Sequence, residues 1–191
     1  PEREIDGRVW LGHSVRVLAA ATADDAVLAV KEHGTVTLRS VAATGLPRAA
    51  LSLLPPRSAG PGRSVSVRSA DLDAAAAEAG RNVEEVRDAL VRRGVRPDDA
   101  ETLFRMVGEA DFRGQFGAAA RTRSDKRIRA GHVVAFFDTP HGRYVQLRRE
   151  STPGDPWSTI APADPRRMAG HVEDILAEVT GHPNPVNSLV R

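Results

Sequence analysis

Three prolines and two glycines fall within nine residues, PPRSAGPGR, at positions 55–63. Proline removes backbone donors and glycine loosens the chain, so neither a helix nor a sheet ladder runs on through such a stretch. The fold must be assembled from what lies on either side. Residues 1–56 read as a first unit, 57–63 as a linker, 64–181 as a second unit and 182–191 as an irregular tail.

Before the break, residues 4–11, 14–21, 26–32 and 35–41 place apolar side chains at alternate positions, as Ile5, Val9 and Leu11 or Val36 and Leu38 do. A period of two argues an antiparallel meander, and a helix over 46–54 closes it. After the break, a strand over 64–68 leads into helices over 70–79, from Asn82 to Gly94, and from Pro97 onward. Asn82 followed by Glu85 has the form of a capping box. Val83, Val86, Leu90 and Val91 make one stripe and Ala100, Leu103, Phe104 and Val107 another, so the helices should pack as a small bundle. Strands return over 112–121, 127–139, 143–149 and 157–161. The last helix runs from Asp164 and Pro165 to Gly181, with Met168, Val172, Ile175, Leu176 and Val179 on one side. Both halves thus end in a meander closed by a helix, and only the second opens with a strand and three helices. The pattern predicts a duplicated α+β scaffold, with an equivalent strand and bundle preceding residue 1.

With 191 residues, of which 41% are hydrophobic, the chain can bury a core of ordinary size. It has no cysteine, which excludes disulfides and thiolate metal sites. No apolar run approaches a bilayer span and the charged start lacks the apolar core of a signal peptide, so the expected location is the cytoplasm and no membrane partner is expected. The pI is about 9.7 because the basic residues are nearly all arginine, yet 27 basic against 25 acidic residues leave a weak long-range field.

Asp138 and His141 flank Thr139-Pro140 next to Gly142, the punctuation of a tight hairpin. A hydrolase built on Asp138 and His141 is the rival reading, but no Ser or Cys nucleophile stands in a recognisable elbow beside them. His132 and Asp138 share a parity, and along an unbroken strand at ~3.3 Å per residue they lie about 20 Å apart, too far for one metal ion. A helix-turn-helix over 83–107 would send Asp98, Asp99 and Glu101 into phosphate, which repels them. The basic run 121–129, RTRSDKRIR, reads as a solvated hairpin tip, since aromatics for base stacking make up only 4% of the chain. No catalytic residue, metal, cofactor or nucleic-acid partner is expected.

The phrases DFRGQFGAAAR, VVAFFDTPHGRYVQL and PWSTIAPADPRRMAGHVEDILAEV, with AVLAV, GTVTLRSV and GRSVSV before them, resemble in order and spacing the EspG family of type VII (ESX) secretion chaperones of actinobacteria. The resemblance covers residues 5–179 and looks like a carboxy-terminal portion of such a protein. It implies a pseudo-twofold fold with a central antiparallel β-sheet and helical bundles, without cofactor or catalytic residues. It also implies a chaperone that covers an apolar tip on the helices of PE–PPE heterodimers or similar helical-hairpin clients. Candidate client contacts on the bundle are Val86, Leu90, Leu103 and Phe104, for which the bundle core is the competing reading. A structural module that self-associates, as a homodimer for instance, is a further alternative.

Overall fold

The computed structural model describes residues 3–5, 8–10, 16–21, 25–32, 35–80, 82–121, 124, 126–152 and 154–181. Residues 12–13, 22–24 and 33–34, which lie between the expected strands, and the tail 182–191 lie outside the described residues. The chain divides into two units, Pro1–Pro56 and Arg57–Arg191.

In the first unit, β1 (Arg3–Ile5) and β2 (Arg8–Trp10) pair antiparallel with Ile5 opposite Arg8. The single strand expected over 4–11 is therefore a hairpin. β3 (Arg16–Ala21), β4 (Asp25–Glu32) and β5 (Thr35–Ala42) form an antiparallel sheet in that order, and α1 (Leu46–Leu51) packs on it, burying Leu46, Pro47 and Ala50. Ala26 and Leu28 of β4 are buried. Cross-strand partners share a face, and on the alternate face Ala29 stands opposite Leu38 and Lys31 opposite Val36. That face is open: Leu38 is 67% exposed, and Val27 and Val36 are also exposed.

The second unit runs β6 (Val65–Arg68), α2 (Ser69–Ala79), α3 (Val83–Arg92), α4 (Pro97–Val107), β7 (Phe112–Phe116), β8 (Ala119–Arg121), β9 (Arg127–Arg129), β10 (Val134–Thr139), β11 (Gly142–Thr152), β12 (Asp155–Pro162) and α5 (Pro165–Thr180). Its antiparallel sheet has the order β6-β12-β11-β10-β7, and β8 and β9 make a separate two-stranded ribbon. In each unit three consecutive antiparallel strands lead into a helix, β3-β4-β5 into α1 and β10-β11-β12 into α5. The strands expected over 112–121 and 127–139 are each broken in two. The breaks face one another: Ala130 N–H bonds to Ala118 C=O at 3.0 Å, whereas Gly131 N–H leaves the ladder for Glu178 Oε1 of α5 at 2.7 Å. A side chain of a packed helix has taken the donor that a longer hairpin would use.

Local chemistry starts the helices as the sequence indicates. Asn82 Oδ1 accepts from the N–H groups of Glu84 and Glu85, and its amide donates to Glu85 Oε1 at 2.9 Å. Asp164 accepts from Arg167 N–H at 2.7 Å, and Gly181 ends α5 with φ of 70°. The main core joins Val65, Val67, Phe137, Tyr144 and Ile160 of the sheet to Ala75, Ala89, Leu90, Ala100, Leu103 and Met106 of α2–α4. α5 packs on β8 and β10 and buries Met168, Ala169, Val172, Ile175 and Val179.

α5 also carries a proton-dependent element. Burial holds the His171 imidazole below its usual 6.5, and the Arg149 guanidinium pushes the same way. The unfolded chain then takes up a proton near pH 6.5, whereas the folded chain does so only at lower pH. Stability present above pH 6.5 is lost as the pH falls toward the depressed folded value. The urea midpoint should fall from pH 7.5 to pH 5.5, and by less in His171→Gln; an equal fall in both proteins would exclude His171 as the source.

Candidate functional site

β10 and β11 join through a two-residue loop, Pro140-His141, with Thr139 opposite Gly142. The Thr139 hydroxyl accepts from His141 N–H at 3.1 Å and lies 3.3 Å from the Gly142 carbonyl, to which it donates. One step along, Asp138 stands opposite Arg143. Arg143 Nε and Nη2 donate to the two Asp138 carboxylate oxygens, both at 2.7 Å, and the two side chains are only 2% and 4% exposed. The guanidinium also lies 5.3 Å from the Phe136 ring centre. Asp138 is thus held in a bidentate buried pair, the strong geometry for a carboxylate and an arginine. His141 is exposed, with Nε2 3.9 Å from Glu109. The structure does not bring Asp138 and His141 together as an acid–base pair. The distance argument about His132 needs correction too, because the strand it assumed is broken between β9 and β10. His132 Nδ1 sits 3.5 Å from Glu178 Oε2, and no cluster of three or more potential ligands occurs among the described residues. No helix among the described residues is long and apolar enough to cross a membrane.

The stretch expected as a linker is a strap bonded to this hairpin. Arg143 N–H donates to Ser58 C=O at 2.8 Å, Gly60 N–H donates to Arg143 C=O at 3.2 Å, and Ala59 forms a parallel bridge with Arg143. The buried Tyr144 hydroxyl donates to Pro61 C=O at 3.0 Å, and burial raises its pKa, so it stays a donor at neutral pH. A Cβ on Gly60 would fall 2.2 Å from the Tyr144 ring, which is why the strap crosses there on a glycine.

Beyond the strap opens a groove of about 640 Å³ between the strap, the start of α3, the second half of α4 and the hairpin tip. Pro61, Gly62, Val83, Phe104 and Met106 give it an apolar lining, with Glu84, Arg105, Glu109 and His141 also on its wall. Arg105 is held by Glu101 at 2.9 Å, and the Arg87 guanidinium lies 5.5 Å from the Phe104 ring centre. Of the four expected contacts, Leu90 and Leu103 are each 2% exposed and belong to the core, so they are corrected from contacts to packing residues. Val86 is half-buried against that core. Phe104 is half-buried and lines the groove. One turn of α4 thus points Leu103 inward and its neighbour Phe104 to the opening, because successive helix residues stand about 100° apart. Pro61, Gly62, Val83 and Met106 were not expected; Gly62 and Pro61 belong to the strap, and no stripe of helical period could have indicated them.

The model of the EspG family matches residues 1–174. Among solved structures, the chain is similar to the Mycobacterium tuberculosis type VII secretion system chaperone EspG5, determined in complex with the PE25-PPE41 dimer, with a TM-score of 0.67 at 20% identity. The match covers 86% of this chain and 61% of that one, so the chain spans less than two thirds of the neighbour's length. The likeness is one of fold. No curated protein matches the chain.

Proposed function

Because the chain belongs to the EspG family, we propose that it acts as a non-catalytic cytoplasmic chaperone and adaptor of type VII secretion. Its client is a PE–PPE pair or a similar helical hairpin, whose apolar tip it holds in the groove of the second unit. The observation that carries this reading is that Phe104 and Val83, both half-buried, line an apolar groove backed by the buried Met106 of α4. An apolar helix tip left in water is an aggregation hazard, and hiding it gains about 25 cal/mol per Å² of apolar surface. A groove of this size removes part of such a tip and leaves binding reversible, as handover to a secretion machine requires. The complex recorded for EspG5 supports the choice of client.

Co-expression with PE–PPE pairs and size exclusion tests the reading, with calorimetry for affinity. Phe104→Lys should weaken client binding about 30-fold or more, the loss of about 2 kcal/mol typical of an aromatic anchor. A chain that co-elutes with no helical client, or a Phe104→Lys variant that binds undiminished, sinks the proposal.

The open face of β5 favours a second reading for the isolated chain, self-association through a second copy. β5 is an edge strand exposed along nearly its whole length, with Val36 and Leu38 on one face, and such edges pair with another strand. Light scattering should show a concentration-dependent dimer that Leu38→Lys reduces to monomer; a monomer at all concentrations ends this reading.

A further inference from the structure

Given a client tip seated in the groove of the second unit, the reading on which this step rests, we propose that the groove selects tips flanked by a lysine or arginine, and that Glu109, with Glu84 in support, sets that preference. The ionisable side chains on the groove wall are Glu84, Arg105, Glu109 and His141. Arg105 is committed within the fold, its Nε held by Glu101 Oε1 at 2.9 Å. Arg87, whose guanidinium lies 5.5 Å from the Phe104 ring centre, is likewise matched by Asp88 at 3.0 Å and Glu101 at 3.6 Å. Glu84 and Glu109 are exposed, and neither has an arginine or lysine of the described residues within 4.0 Å. Glu84 reaches Arg87 only as a distant charge, weaker there than Asp88 and Glu101. Glu109 has the His141 Nε2 at 3.9 Å, and an imidazole offsets a carboxylate only while it is protonated. Four carboxylates, of Glu84, Asp88, Glu101 and Glu109, thus stand against two guanidinium groups, and the wall beside an apolar lining carries negative charge without a matching cation.

The end of α4 adds to that sign. The helix closes at Gly108, whose N–H bonds to Phe104 C=O, so the carbonyls of its last turn face the same end. A helix carries partial negative charge there, and the one basic residue of that turn is Arg105, already held by Glu101. Glu109 follows the last residue of α4 by two positions, so a cation beside it meets the carboxylate and the dipole together. Glu84 lies in the first turn of α3, where the dipole itself favours a carboxylate. Glu109 is therefore the stronger determinant.

An apolar tip that settles on Phe104 and Val83 takes water from the neighbouring carboxylates. That desolvation is unfavourable unless the occupant brings a cation. A tip flanked by acidic residues meets like charge as well, and juxtaposed like charges reject a wrong partner more effectively than apolar contacts can. Phe104 and Val83 hold the apolar part of any tip, and the carboxylates discriminate among tips.

The experiment titrates the intact chain into two fluorescent helical peptides with the same Leu-Phe end, one flanked by lysines and the other by glutamates, and follows anisotropy. At low salt the lysine peptide should bind about tenfold or more tighter, and the ratio should shrink as salt rises. Glu109→Lys should erase or reverse the preference, and Glu84→Lys should reduce it by a smaller factor. Phe104→Ala should weaken both peptides alike, which places them in the groove. The urea midpoint of Glu109→Lys should stay at the parent value, separating altered recognition from altered folding. Equal binding of the two peptides by the parent, or a preference that survives Glu109→Lys, overturns the selectivity and leaves the groove reading standing. Binding of neither peptide, or binding undiminished in Phe104→Ala, removes the groove reading and this inference with it.

Discussion

Replacing Asp138 with Ala should cost about 3–5 kcal/mol of stability, because it removes the carboxylate that holds the Arg143 guanidinium through two hydrogen bonds in a site where the side chain is only 4% exposed. Domains of this kind are stable by about 5–15 kcal/mol, so the variant should lose a large part of its margin. Urea unfolding followed by circular dichroism measures it. Replacing both partners, Asp138→Leu with Arg143→Met, should recover much of the loss, since an apolar pair leaves no buried charge. His141→Ala should change stability by no more than about 0.5 kcal/mol, as the side chain is exposed and only loosely paired. These outcomes separate a structural from a catalytic use of the two residues. A hydrolase would lose turnover in both variants while His141→Ala stayed folded, and such a loss would overturn the non-catalytic reading.

The second large effect is expected at Gly142. Its φ is 140°, and an added Cβ would lie 2.5 Å from Gly60 N, 2.6 Å from Gly60 Cα and 2.8 Å from Ser58 O, all backbone atoms that cannot rotate away. Strain at that backbone angle and overpacking together should cost about 2–5 kcal/mol in Gly142→Ala. The strap must move for the variant to fold, so limited proteolysis should cut within residues 57–62 in the variant and spare the parent. Gly154 also has a positive φ, 83°, but nothing lies within 4 Å of its Cβ position. Gly154→Ala should therefore cost less, about 1–3 kcal/mol from the backbone angle alone, and leave the strap resistant. Equal effects at the two glycines would mean that the strap is not clamped there.

Much of the local structure was legible in the residues. Asn82 with Glu85, Pro97, Asp164 with Pro165, and Gly181 act at helix ends through their own side chains or backbone freedom, so their neighbours in sequence suffice to read them. The hairpin at residues 139–142 was readable for the same reason. The breaks at 117–118 and 130–133 were not, because the acceptor that draws Gly131 out of the ladder is Glu178, 47 positions away. The strap was misread as a linker on sound local grounds. Its prolines and glycines do prevent regular structure, but the partners that hold it, Arg143 and Tyr144, lie more than 80 positions on.

The candidate site divides in the same way. The apolar stripes of α3 and α4 announced that these helices bury a face, and the family resemblance implied client contacts on the bundle as an expectation. Neither could separate Leu103 from Phe104, because both fit the stripe and differ only in what stands opposite them. Leu103 meets the sheet core, while Phe104 meets an opening left between the strap and the start of α3. The sequence by itself determined periods, caps, turns and charge, properties each residue expresses within a few neighbours. Only the tertiary structure decided which apolar side chains remain at a surface and that Asp138 is spent on Arg143. Burial and pairing are set by contacts between segments distant in the chain, and no local pattern encodes them.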